Sequence, residues 1–197
     1  MKSRISELLE EIRAREEELE DAIKTHEVEF LYRLEGTKIK FEQAVEQAHR
    51  KLKVGVFQWL KRSNPLNVLY APLIYSMIFP FTLLDLTISI YQLICFPLYK
   101  IQKVDRKKYI VIDRQHLSYL NSIEKLNCMY CGYVNGLITY SREIVARTEQ
   151  YWCPIKHAKK ILDSHRRYAH FADFGNPESH HQHIIKMRDL LPKTINK

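Results

Sequence analysis

Four residues in the C-terminal half have the types and spacing to hold a metal. They are Cys128 and Cys131 in Cys-Met-Tyr-Cys-Gly, and Cys153 and His157 in Cys-Pro-Ile-Lys-His. A Cys-x-x-Cys followed at once by Gly suits two thiolates on one tight turn, and a further Cys with a His four residues on would complete a tetrahedral Cys3His shell. Thiolate-rich tetrahedral ligation favours zinc, with an iron–sulfur cluster as the alternative. A filled shell leaves no position for water, so the expected role is a structural clamp whose binding energy is also folding energy. Catalysis would need an exchangeable ligand. Glu143 and Glu149 are the neighbouring acids that could move a proton, although Arg147 stands four residues from Glu143 and offers it an ion pair.

The spacing sets a condition on this site. One straight helix through residues 132–151 would hold Cys131 and Cys153 about 30 Å apart and abolish it. An extended segment through Gly132 and Asn135, followed by a helix starting near Gly136, would return Cys153 to the cysteine turn. A helical hairpin would instead bring His165 or His170 to that turn. A reversible Cys128–Cys131 disulfide and a metal-free chain are the remaining alternatives; the first is normally sought beside a thioredoxin-like βαβ pattern, which is not evident.

The elements that must position these residues divide the chain into four parts: 1–64, 65–99, 100–175 and 176–197. In the first, Ile5, Leu9, Ile12, Leu19 and Ile23 recur at coiled-coil spacing, interrupted by Glu16. That predicts an amphipathic helix able to meet a protein partner or a second copy, or to pack on its own chain. A second helix is expected over 37–62, after a break at Gly36-Thr37, with Phe41, Val45, Ala48 and Leu52 on one face. Ser63-Asn64-Pro65 stops it.

Between Val68 and Leu98 the one charged residue is Asp85. Such a run is a membrane candidate by length and by lack of charge. As one helix it would measure about 46 Å, longer than a hydrocarbon core of about 30 Å, while two spans would need about 40 residues. A kinked, tilted span and a re-entrant hairpin folded at Pro80 are the candidates. Basic residues flank both ends: Arg50, Lys51, Lys53, Lys61 and Arg62 before, Lys100, Lys103, Arg106, Lys107 and Lys108 after. A single span would carry one of these clusters outside, so a hairpin or an in-plane insertion with both ends cytoplasmic is favoured.

Lys and Arg total 31 against 23 Asp and Glu, a net charge of +8 that suits anionic lipids or nucleic acid equally. No nucleic-acid recognition motif accompanies the charge, so anionic membrane lipids are the expected partner. The charged N-terminus lacks the apolar core of a signal peptide, which points to reduced, cytoplasm-facing thiols. With five Gly and seven Pro, the chain is expected to be mainly α.

Beyond the apolar run, Tyr109–Ile112 suggests a short strand, Asp113 a cap for a helix reaching Asn127, and Leu137, Tyr140, Ile144, Thr148 and Tyr151 another helix. Pro154 suits the first turn of a helix to about Phe171; Gly175-Asn176-Pro177 marks a loop, followed by a polar tail with His180, His181 and His183. The stretches 109–125, 127–136 (Asn-Cys-Met-Tyr-Cys-Gly-Tyr-Val-Asn-Gly) and 147–158 (Arg-Thr-Glu-Gln-Tyr-Trp-Cys-Pro-Ile-Lys-His-Ala) resemble a family of uncharacterised bacterial membrane-associated proteins. The resemblance implies a bacterial source and an inner-membrane address, to which the reduced thiols and flanking basic clusters add the cytoplasmic face, and it supplies no catalytic residues. The expectation is therefore a membrane-associated protein with N-terminal helices, a membrane-inserted hairpin or kinked span and a zinc-clamped helical region, in an interaction or scaffold role. The alternative is a metal-dependent or redox enzyme at the membrane surface.

Overall fold

The computed structural model describes residues 11, 14–19, 21–22, 25, 32–35, 38–41, 43–177 and 180–193, with side chains left undescribed for 32–41, 43 and 180. The chain is mainly helical and divides into two compact units: residues 1–62 with 113–129, and residues 63–112 with 130–197.

In the first unit, residues 14–19 are helical and Leu19 is exposed; Ile5, Leu9, Ile12 and Ile23, which define the expected coiled-coil stripe, lie outside the described residues, as does the Gly36-Thr37 break. The single helix expected over 37–62 is replaced by three elements. Strand β2 (Lys38–Phe41) pairs antiparallel with β1 (Tyr32–Glu35), Tyr32 opposite Phe41, and is followed by helices α1 (Gln43–Lys51) and α2 (Val56–Arg62). Gly55 separates the two helices, in agreement with the low helix propensity of Gly.

The second unit opens with α3 (Pro65–Ser76), capped by the Asn64 side chain, which accepts from the Leu66 N–H, and by Pro at its first position. Helix α4 (Ile78–Leu98) follows after one residue, Met77, whose φ of −63° and ψ of −11° remain in the right-handed region. The chain therefore does not reverse at Pro80, contrary to the hairpin expectation. Pro80 sits in the first turn of α4, where a missing N–H costs least, and Pro65–Leu98 continues in one direction as a single helical run. Helix α4 ends in a Schellman motif: Ile101 N–H donates to Phe96 O at 2.9 Å, Lys100 N–H to Pro97 O at 3.1 Å, and Lys100 takes the left-handed conformation (φ 58°) that usually calls for Gly.

Residues 100–112 form an irregular strap rather than the expected strand. Helix α5 (Ser122–Trp152) then runs without interruption through the cysteine pair. Its cap is Asn121, not Asp113: Asn121 Oδ1 accepts from the N–H groups of Ile123 and Glu124, and Glu124 returns a carboxylate oxygen to the Asn121 N–H, a reciprocal capping box. The helix expected from Pro154 to Phe171 is a loop with one 3-10 turn, Arg166–His170, pinned by a parallel bridge between Ile155 and Ala172. Helix α6 (His180–Asp189) supplies Met187, and Leu191 follows it, both buried, so the segment beyond 176 contributes to the core.

Contacts progress in the same direction along α4 and the Tyr130–Trp152 part of α5. Asp85 meets Tyr133, Gln92 meets Tyr140, Tyr91 meets Thr148, and Tyr99 stacks on Tyr151. The two helices thus run parallel, and the strap carries the chain back between them. The core cluster of Phe96, Ile101, Val104, Leu137, Tyr140, Ile144 and Leu191 lies where strap, helices and C-terminal segment converge.

Candidate functional site

Helical continuity decides the fate of the metal shell. Cys131 lies on α5 and Cys153 one residue past its end, so 22 residues at 1.5 Å each separate them by about 33 Å along the axis. Cys128 is nearly a turn further away. One metal with ligand bonds of about 2.0–2.3 Å cannot reach both ends. His165 is held at the far end as well, its Nε2 2.8 Å from Glu149, which leaves the alternative set unassembled too. His170 sits beyond Arg167, which reaches Glu143, 12 residues along α5 from Cys131. His157 donates its backbone N–H to the Tyr168 hydroxyl and stacks its exposed ring on Tyr168. Among the described residues, no three His, Cys, Asp or Glu side chains come close enough to share an ion.

Gly132 and Gly136, expected to open an extended escape from a cysteine turn, serve a different purpose. They lie four apart on one face of α5, where the strap backbone passes. A Cβ on Gly136 would stand 2.6 Å from Tyr109 O and 2.8 Å from Ile110 Cα; one on Gly132 would stand 3.1 Å from Val111 O. At Gly136 only a residue without a side chain permits that approach, whereas at Gly132 a Cβ would be tight by a few tenths of an ångström.

The apolar helix hides its polar groups against this strap and α5. Asp85 Oδ2 accepts from Arg106 Nη2 at 2.5 Å and from the Tyr133 hydroxyl at 2.9 Å. Burial, reinforced by Asp85, pushes the Tyr133 phenol above its ordinary range, so it stays a donor. Seven residues on, the buried Gln92 accepts from the Val104 N–H at 2.6 Å and donates to the Tyr140 hydroxyl at 2.7 Å. Arg147 Nη1 holds Gln102 O at 2.6 Å. Each bond satisfies a group that would otherwise be costly to bury.

A second polar cluster joins α5 to the C-terminal loop. Glu143 Oε1 accepts from Arg147 at 2.8 Å and from Arg167 at 2.7 Å, while Arg167 also donates to Gln150. Burial pushes the Glu143 carboxyl up, but hydrogen bonds and charge from the two arginines outweigh it and hold the carboxyl below its ordinary value of 4.5. Glu143 is thus a buttress in an ion cluster rather than an available base, and Glu149 is engaged by His165.

What remains open is the outward side of α3 and α4. Pro65–Leu98 is the one helical run among the described residues long and apolar enough to cross a membrane, and its most apolar 18-residue window is wholly unburied. Leu73, Met77, Phe79, Leu83, Leu86, Ile90, Leu93, Ile94 and Leu98 are exposed, while Tyr75, Ile78, Phe81, Asp85, Ile88, Gln92 and Phe96, three or four apart, turn inward. The usual arrangement of a water-facing helix is inverted at its strongest polar groups: Asp85 and Gln92 face protein, while the outward face of α4 is apolar apart from Thr82 and Thr87, whose hydroxyls bond their own helix. At the α4 C-terminus, Tyr99, Tyr151 and Trp152 cluster, with Arg188 4.3 Å from the centre of the Tyr151 ring. Asp85 and Gln92, seven residues apart, mark the inward face only through the partners they meet there. No protein-family model, curated protein or solved structure matches the chain.

Proposed function

We propose that this chain is a membrane-surface scaffold whose α3–α4 rod lies in the plane of the bilayer, with its outward face in the boundary between headgroups and acyl chains. The inverted polarity of α4 carries this reading. Burying about ten large apolar side chains to half their full value contributes on the order of 10 kcal/mol. A single myristoyl chain supplies about 5 kcal/mol. Attachment is therefore expected without a lipid modification.

Length and surroundings favour the plane over a crossing. The 34-residue run measures about 51 Å, well beyond the hydrocarbon thickness. A crossing α4 would also draw the irregular strap, with exposed Lys103, Lys107 and Lys108, through hydrocarbon that tolerates neither unpaired backbone nor charge. An in-plane rod leaves both flanking basic clusters on one side. The protein would then present its N-terminal segments to a partner at that surface. Its clustered acids and bases are spent on one another, which favours scaffold over enzyme.

Flotation with lipid vesicles tests the proposal. Replacing Leu86 and Ile90 together by Asp should abolish flotation while circular dichroism keeps its helical signal. Undiminished flotation of the folded double variant would refute it.

A further inference from the structure

We infer that the strap makes this membrane face selective for anionic phospholipids, with Lys100, Lys103, Lys107 and Lys108 meeting headgroup phosphates. The inference rests on the in-plane placement of α4 and adds the chemistry of the lipid.

The strap is tied to α4 at two points, Val104 to Gln92 and Arg106 to Asp85, which lie seven residues or about 10 Å apart along the helix. Its cations are therefore spread along the length of the strap rather than gathered in a knot at one end. Their partners differ. Arg106 is held by Asp85, whereas the four lysines are exposed and, among the described residues, no carboxylate pairs with them. Asp105, the acid among them, accepts from the Lys107 backbone N–H and leaves the strap net positive.

Lys100 adds an independent observation. It occupies the left-handed C′ position of the Schellman motif, where Gly would be free of Cβ strain. A cation is kept there at a conformational cost, beside the Tyr99, Tyr151 and Trp152 cluster that suits the headgroup level. Basic side chains at an anionic surface each strengthen binding about fivefold, so three of them amount to about a hundredfold.

The test uses full-length protein and two vesicle preparations, pure phosphatidylcholine and a 3:1 mixture with phosphatidylglycerol, compared by co-sedimentation at low and high salt. Wild type should prefer the anionic vesicles about a hundredfold or more at low salt and lose most of that preference as salt rises. Lys103→Gln, Lys107→Gln and Lys108→Gln combined should remove most of the preference while binding to neutral vesicles persists. Lys100→Gly should not lower the thermal midpoint, yet should cost about fivefold in anionic affinity. An unchanged preference in the triple variant, or equal wild-type binding to both vesicles, would overturn the inference alone. Absence of wild-type binding to neutral vesicles would reject the in-plane reading beneath it.

Discussion

Replacing Gly136 by Ala tests the packing that holds the strap between α4 and α5. The added Cβ would meet Tyr109 O at 2.6 Å and Ile110 Cα at 2.8 Å, both backbone atoms, so the strap must move by more than half an ångström. Overpacking of this kind costs about 1–3 kcal/mol, against a gain of about 1 kcal/mol from substituting Ala for Gly within a helix. The net expectation is a loss of up to about 2 kcal/mol, or a fall of up to roughly 8 °C in melting temperature for a chain of this size. Gly132→Ala is the internal control. Its Cβ would stand 3.1 Å from Val111 O, a few tenths of an ångström too close, and the propensity gain should bring the change near zero. Thermal unfolding in mild detergent, followed by circular dichroism, reads both variants. Gly136→Ala at least as stable as Gly132→Ala would refute the placement of the strap.

Gln92→Leu leaves the Val104 N–H without its acceptor and the Tyr140 hydroxyl without a donor, and should cost about 2–4 kcal/mol in urea unfolding, whereas Leu93→Gln on the exposed face should stay within about 0.5 kcal/mol in detergent-free buffer. Because the folded Glu143 carboxyl lies below its ordinary 4.5, its contribution to stability is present above that pH and lost as pH falls through the folded value. Glu143→Gln should accordingly flatten the loss of stability as pH falls below about 4.5 relative to wild type. Cys128→Ser and Cys153→Ser should each change stability by less than about 1 kcal/mol with or without added zinc, since 33 Å of helix separates Cys131 from Cys153; a zinc-dependent rise in melting temperature lost in both variants would restore the metal clamp.

The apolar run and its helical state were legible because composition changes abruptly at Pro65. Its inward face was not. An almost uniformly apolar helix has little periodic signal, and Asp85 and Gln92 declare the packed side only once Arg106 and Val104 are seen beside them. The cysteine pair misled for a local reason: Cys-x-x-Cys-Gly reads as a metal turn, yet the same spacing fits one face of a helix, and nothing near Cys128 breaks α5. Gly132 and Gly136 signalled backbone freedom when their use is close approach, a long-range property invisible without the strap. The Asn121 to Glu124 capping box, by contrast, stands in the sequence as a recognisable pattern that outranks Asp113 as the helix start. Lys100 could not be anticipated at a helix end that ordinarily takes Gly.

The most direct test of the in-plane rod is a depth profile. Single cysteines at Leu83, Ile90, Leu93 and Leu98, in a protein lacking its native cysteines, would carry an environment-sensitive fluorophore, with quenchers placed at known depths in the bilayer. An in-plane helix predicts similar, shallow depths of about 5–10 Å below the headgroups at all four sites. A graded profile, in which Leu83 and Leu98 differ in depth by about 20 Å as 15 residues of helical rise require, would contradict the account and establish a crossing.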